Sequence, residues 1–105
     1  GFSQGCMISL QTGIKRKQKI NSIVGYSGKI IDTNHLKNNI ISRPKIILMH
    51  GDKDQIVPIN FFLEAKEFFN KNNYKIESQI FKNCEHRISA EGSSFGLKFL
   101  KKNLY

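Results

Sequence analysis

The sequence predicts an α/β fold of parallel strands alternating with helices, and two segments carry most of that prediction. Residues 45–50 form a continuous apolar run between a proline and a glycine, which is typical of a strand buried on both faces. Over residues 58–72 apolar side chains recur at helical spacing, and Pro58 suits the first turn of a helix. An alternation of strand and helix without a long linker favours parallel β-α units with right-handed crossovers.

The first part of the chain extends this alternation. Residues 4 to about 12 contain enough apolar side chains for a short helix, which Gly13 can end. Residues 19–26 are rich in β-branched side chains and are bounded by glycine, so we expect a strand. Residues 32–42 are polar and mixed, and here the sequence predicts a loop with one helical turn.

The last part of the chain adds a third strand and a final helix. Residues 74–81 partly alternate between polar and apolar side chains, which favours an outer strand. Residues 89–104 carry the apolar face of an amphipathic helix. With 105 residues, the chain is one domain or part of one.

The basic composition allows two interpretations. The formal net charge is +9, but the only dense basic run covers residues 15–19. Clustered Lys and Arg bind nucleic acids by releasing counterions, yet no zinc-finger spacing or RNA-binding aromatic motif accompanies this run. We therefore favour a solvated surface, with no specific nucleic-acid partner, over a basic nucleic-acid-binding module.

Cellular location is predicted from what the sequence lacks. No apolar run approaches the roughly 20 residues of a membrane span, and no secretion signal is visible. Cys6 and Cys84 lack C-x-x-C spacing, so two reduced thiols are expected. These observations predict a cytoplasmic protein.

The first five residues, Gly1-Phe2-Ser3-Gln4-Gly5, match the G-x-S-x-G nucleophile elbow. This motif holds a serine on a strained strand-to-helix turn above a parallel sheet. A serine becomes nucleophilic when a histidine takes its proton and a carboxylate orients that histidine.

Candidate partners for Ser3 follow the later predicted strands. Asp52 and Asp54 come after the second strand, and His86 follows the third. The order Ser, Asp, His along the chain is that of the α/β-hydrolases. Because reactive groups gather beyond the carboxyl ends of parallel strands, we expect these side chains to share one edge of the sheet.

Four motifs in this order resemble the phospholipase/carboxylesterase family, which includes acyl-protein thioesterases. They are the elbow, Ser27-Gly28 after a strand, the stretch from His50-Gly51-Asp52 to Pro58, and His86 followed by Ile88-Ser89. The resemblance runs through the whole chain but covers only about the C-terminal half of a family domain. It implies a partial α/β-hydrolase fold over residues 1–105, with about three parallel strands, flanking helices and the N-terminal half of the sheet missing.

The resemblance also implies a role for each matching residue. Ser3 corresponds to the nucleophile, Asp54 to the orienting acid and His86 to the general base, while the backbone N–H of Gln4 corresponds to an oxyanion donor. Asp52 would then be a turn residue, although Asp54 could itself be only a turn cap. The implied substrate is a small-molecule or acyl ester or thioester, and neither a cofactor nor a metal is expected.

Other residues have structural interpretations. His50 matches a position that supports the acid loop, and His35 lies in a polar segment. Cys6 replaces a glycine that the family usually has, and Cys84-Glu85 replaces a glycine-containing approach to the histidine. A Cys84–His86 pair is disfavoured because near neighbours on one loop seldom aim at each other.

The family's second oxyanion donor comes from a loop that would lie upstream of Gly1. Without the preceding strand, we expect nothing to hold Ser3 in a strained turn. The chain alone is therefore predicted to be an inactive or weakly active hydrolase fragment that pairs with a missing N-terminal half or self-associates. The alternative is a non-catalytic remnant or a partner-dependent fragment.

Overall fold

The sheet of this protein has three parallel strands, and a computed structural model describes residues 1–104. Strand β1 covers Ser22–Tyr26, β2 covers Lys45–Gly51 and β3 covers Glu77–Phe81. The order is β1-β2-β3, so β2 lies in the centre and pairs with both neighbours. The predicted α/β class with three parallel strands is confirmed.

Within residues 1–104, four helices flank the sheet. Helix α1 covers Gln4–Gly13, α2 covers Thr33–Lys37, α3 covers Ile59–Lys71 and α4 covers Ala90–Leu104. The core residues of α1, α2 and α3 belong to one apolar cluster, and those of α4 to another. No helix within residues 1–104 is long and apolar enough to cross a membrane.

Strand β2 divides the core into its two halves. Ile46 and Leu48 join the cluster that contains Phe62 of α3, while Ile47 and Met49 join the cluster that contains Phe99 of α4. Side chains alternate between the faces of a strand, so a strand covered on both faces must be apolar at every position. This explains why residues 45–50 lack a polar alternation.

Two strands start later than the sequence predicts. β1 begins at Ser22, which pairs with Lys45, the first residue of β2, and Asn21 still reaches that residue through its carbonyl, which accepts from the Lys45 N–H at 3.1 Å. β3 begins at Glu77, because Tyr74 packs against other parts of the fold instead of pairing with β2. The Tyr74 ring packs at 5.1 Å from that of Phe69, and its hydroxyl donates to the Pro44 carbonyl at 2.5 Å.

The predicted single helical turn is α2, and Asp32 explains where it starts. The Asp32 carboxylate accepts a hydrogen bond from the backbone N–H of His35 at 3.0 Å. An aspartate in this position satisfies an N–H that has no partner inside the helix. His35 is exposed, and its Nε2 accepts a hydrogen bond from Lys15 Nζ at 3.2 Å.

Topology separates the two ends of the sheet. Ser3 lies at the carboxyl end of β1, where its N–H donates to the Tyr26 carbonyl. The basic residues 15–19 precede β1 and therefore lie towards the opposite, amino end. The basic run and the elbow motif thus occupy different parts of the molecule.

Candidate active site

The first candidate residue, Ser3, has an unusual backbone conformation. Its φ is 54° and its ψ is −117°, a combination that residues other than glycine rarely adopt. The Ser3 N–H donates to the Tyr26 carbonyl at 2.8 Å, and the Tyr26 N–H donates to the Gly1 carbonyl at 2.9 Å. The expectation that nothing holds this turn is therefore wrong, because pairing with β1 fixes it.

The two glycines of the elbow differ in their surroundings. A Cβ on Gly1 would collide with the backbone carbonyl of Gly5, so the turn requires a glycine at this position. A Cβ on Gly5 would meet no atom within 4 Å. Of the two elbow glycines, Gly1 is therefore the one that contacts within residues 1–104 require.

Asp54 is held from two sides. Its Oδ1 accepts hydrogen bonds from the backbone N–H groups of Ile56 and Val57 at 2.9 and 2.8 Å. Its Oδ2 lies 2.7 Å from Nδ1 of His86. The side chain is 0% exposed, so the carboxylate cannot turn towards solvent without losing these bonds.

These contacts change the acidity of Asp54. Burial works to raise the pKa of this carboxyl, but the hydrogen bonds from His86, Val57 and Ile56 outweigh it and lower the pKa below its ordinary value. Asp54 is thus ionised at neutral pH, when it can accept hydrogen bonds through both oxygens.

His50 supports the loop that carries Asp54. Its Nε2 lies 2.6 Å from the Val57 carbonyl, which can only accept, so this nitrogen carries a proton. The same nitrogen is 3.5 Å from Asp54 Oδ2, and the buried ring packs beside Phe62 at 5.7 Å between centroids. This environment agrees with the supporting role expected for His50.

His86 connects the other two candidates. Its Nδ1 contacts Asp54, and its Nε2 lies 2.9 Å from Oγ of Ser3. Because the ionised carboxylate accepts only, Nδ1 carries the proton and Nε2 is left to accept from the serine hydroxyl. The structure thus joins Ser3, His86 and Asp54 in one continuous hydrogen-bonded chain.

A close contact between two loops brings Asp54 and His86 together. The N–H of Lys53 donates to the Cys84 carbonyl at 3.0 Å. A Cβ on Gly51 would collide with that same carbonyl, so only glycine allows this approach. Asp52, the other carboxylate of the stretch, is exposed, and its N–H donates to the Phe81 carbonyl at 3.0 Å.

Gln4 begins helix α1 directly after Ser3. Within residues 1–104, the N–H groups of Ser3, Gly5 and Met7 each donate to a backbone carbonyl, whereas the Gln4 N–H has no acceptor. The first N–H groups of a helix carry a partial positive charge. This N–H is therefore available to an oxygen that gains negative charge beside Ser3.

Neither cysteine takes part in the hydrogen-bonded chain. Burial raises the pKa of the Cys6 thiol to about 11, so it stays protonated at neutral pH. The sulfur of Cys84 faces the Glu85 and Arg87 carbonyls at 3.6 and 4.0 Å. Within residues 1–104, no three His, Cys, Asp or Glu side chains lie close enough together to hold a metal ion.

Sequence reasoning missed two contributors to this site, Phe2 and Gly51. Phe2 was only a variable position of the elbow, yet its ring lies 4.9 Å from that of His86. Gly51 is the last residue of the buried strand β2, and a glycine within a strand is a signal of close backbone approach.

Comparisons with known proteins identify the relatives of this chain. Residues 1–104 match the family described as Phospholipase/Carboxylesterase. Acyl-protein thioesterase 1 of Saccharomyces cerevisiae is 33% identical, and the alignment covers 99% of this chain and 48% of that protein. Acyl-protein thioesterase 1 of Kluyveromyces lactis is 30% identical over 99% of this chain and 48% of its own length.

Solved structures agree in fold. The crystal structure of esterase PE8 superposes with a TM-score of 0.93 at 30% identity, covering 98% of this chain and 48% of that one. Zea mays acyl-protein thioesterase 2 gives a TM-score of 0.90 at 21% identity, covering all of this chain (100%) and 55% of that one, which shows the fold alone. This chain therefore spans about half the length of the curated relatives it matches.

Proposed function

Because the chain belongs to the phospholipase/carboxylesterase family, we propose that it carries the Ser-Asp-His triad of a hydrolase that acts on carboxylic esters or thioesters. One observation carries the proposal: Ser3 Oγ lies 2.9 Å from His86 Nε2, and His86 Nδ1 lies 2.7 Å from Asp54 Oδ2. These distances lie within hydrogen-bond reach for a nucleophile, its general base and an orienting acid.

In the proposed reaction, Oγ of Ser3 attacks the substrate's carbonyl carbon while its proton moves to Nε2 of His86. The ionised Asp54 stabilises the resulting imidazolium without taking the proton itself. When the tetrahedral intermediate collapses, the leaving alcohol or thiol receives that proton, and the acyl group stays on Ser3. Water then attacks the acyl carbon while His86 Nε2 takes one of its protons. As the bond between the acyl carbon and Ser3 Oγ breaks, His86 returns that proton to Oγ, and the carboxylic acid leaves.

The intermediate needs donors for its negatively charged oxygen. We assign the Gln4 N–H at the start of α1 as one donor, because the residue after the nucleophile supplies it in this type of hydrolase. The second donor would come from a segment upstream of Gly1. Losing one such donor typically costs about 2.7 to 4 kcal/mol in the barrier.

Residues 1–105 are accordingly proposed to be the C-terminal portion of an α/β-hydrolase domain that is weakly active by itself. The named relatives are acyl-protein thioesterases, which supports acyl thioesters or esters as the substrate class. The missing partner would be an N-terminal half that completes the sheet and the oxyanion site.

The test uses this chain fused behind the N-terminal half of one of its thioesterase relatives. We expect a fluorophosphonate probe to label the fusion at Ser3 and a short p-nitrophenyl ester to be hydrolysed. Ser3→Ala should abolish both. Ser9→Ala is the matched control, because Ser9 lies on α1, the helix that follows Ser3, and its hydroxyl only donates to the Gly5 carbonyl. Labelling or turnover that survives Ser3→Ala would overturn the proposal.

A further inference from the structure

The ring of Phe2 packs against the imidazole of His86. The two centroids are 4.9 Å apart, and the ring planes are tilted by 38°. Offset and tilted pairs at this separation attract each other beyond the area that they bury. His86 thus has contacts on three sides, with Asp54, Ser3 and Phe2.

The hydrogen bonds of His86 leave one motion unrestrained. Nδ1 and Nε2 lie on opposite sides of the imidazole, so bonds to Asp54 and Ser3 hold the ring along a line that crosses it. They resist sliding along this line far more than tilting about it. A neighbouring ring packed against the imidazole opposes tilting, and Phe2 lies in that position.

Phe2 can do this because its backbone is fixed independently of its side chain. Its carbonyl accepts a hydrogen bond from the Gly5 N–H at 2.9 Å, and the residue forms a parallel bridge with Tyr26. The side chain is 38% exposed, so it contributes less to the core than a buried phenylalanine would. Replacing the ring should therefore change the contact with His86 and leave the turn in place.

We propose that Phe2 is a positioning residue that sets the tilt of the His86 ring for proton transfer with Ser3. This inference rests on the proposed function, because it assigns Phe2 to the same reaction. An aromatic ring should be required at this position, whereas an aliphatic side chain of similar size should not suffice.

The first test measures ester hydrolysis by the fused domain described above. Phe2→Leu should lower kcat by roughly tenfold with KM almost unchanged, because small misalignments cost rate rather than ground-state binding. Phe2→Tyr should retain most of the wild-type kcat. Ile8→Ala is the control, because Ile8 is a 57% exposed apolar residue of α1 outside this contact. A wild-type kcat in Phe2→Leu, or a change in KM alone, would overturn the inference.

The second test does not depend on activity. The proton between His86 Nδ1 and Asp54 should give a downfield proton NMR signal that broadens or disappears in Phe2→Leu and persists in Phe2→Tyr. An unchanged signal in Phe2→Leu would overturn the positioning role. If Ser3→Ala keeps its activity, the proposed function fails, and this signal alone decides whether Phe2 positions His86.

Discussion

The two carboxylate oxygens of Asp54 make different contacts in the candidate site. One oxygen of its carboxylate stabilises the loop through two backbone N–H groups, while the other faces His86. The side chain thus caps the turn and also contacts His86, so the two interpretations that the sequence allows do not exclude each other. Asp52, by contrast, is exposed, whereas Asp54 is buried.

Replacing Asp54 with Asn in the fused domain should lower kcat for ester hydrolysis by about three to four orders of magnitude. The amide would hold the His86 ring in the tautomer that cannot accept the serine proton. Asp52→Asn is the matched control and should have a much smaller effect. A larger loss from Asp52→Asn would reverse the assignment of the acid.

The lowered pKa of Asp54 also predicts how stability depends on pH. A folded-state pKa below the unfolded value of about 3.9 means that the unfolded chain binds more protons. The stabilisation from Asp54 is therefore present above about pH 4 and is lost as the pH falls through the lower folded value. Urea denaturation should show the difference in free energy of unfolding between wild type and Asp54→Asn shrinking below pH 4. A difference independent of pH would contradict this.

At the scale of elements, helix α1 packs closely on the segment that follows β1. Cys6 of α1 is 1% exposed. A Cβ added to Gly28 would lie 2.6 Å from Cys6 Sγ and 2.7 Å from Cys6 Cβ. The cysteine that departs from the family pattern thus fills the space left by a glycine on the facing segment.

This contact predicts coupling between two substitutions. Gly28→Ala alone should lower the free energy of unfolding by about 1–3 kcal/mol, because the added methyl overpacks against Cys6. In a Cys6→Gly background the same change should cost much less, since both clashing atoms are gone. Denaturant titration of the four proteins measures the coupling, and simple additivity would show that the Cys6 contact is not responsible.

The elements show what a sequence can and cannot predict. The apolar run of β2 and the helical spacing of α3 identify those elements, because each pattern follows from local burial. The starts of β1 and β3 were predicted too early, since they depend on a partner strand and on the packing of Tyr74. The Phe2–His86 and Gly51–Cys84 contacts join segments far apart in the chain, so a local pattern can mark a glycine such as Gly51 but cannot identify its partner.

The whole molecule has surfaces that suggest an incomplete sheet. Within residues 1–104, the outer edge of β1 meets only the short segment from Gly1 to Ser3. Helix α4 leaves Leu97 and Leu104 more than half exposed, at 56% and 60%. Exposed apolar surface beside an unpaired strand edge favours association. The relatives are about twice as long as this chain, so they contain additional segments that this chain lacks.

The last prediction compares the polypeptide of residues 1–105 with its completed form. Alone, it should hydrolyse a p-nitrophenyl ester barely above background and react poorly with a fluorophosphonate. Although pairing with Tyr26 already fixes the Ser3 turn, the Gln4 N–H by itself leaves the oxyanion with one donor.

Adding the N-terminal half of a relative, in trans or as a fusion, should restore labelling at Ser3 by supplying the second donor and covering the β1 edge. Ser3→Ala in the completed form should remove that labelling. Robust, Ser3-dependent turnover by the isolated polypeptide would contradict this prediction, because it would mean that one donor at the start of α1 is sufficient for catalysis. Completed protein that folds but stays unlabelled would instead favour a non-catalytic remnant.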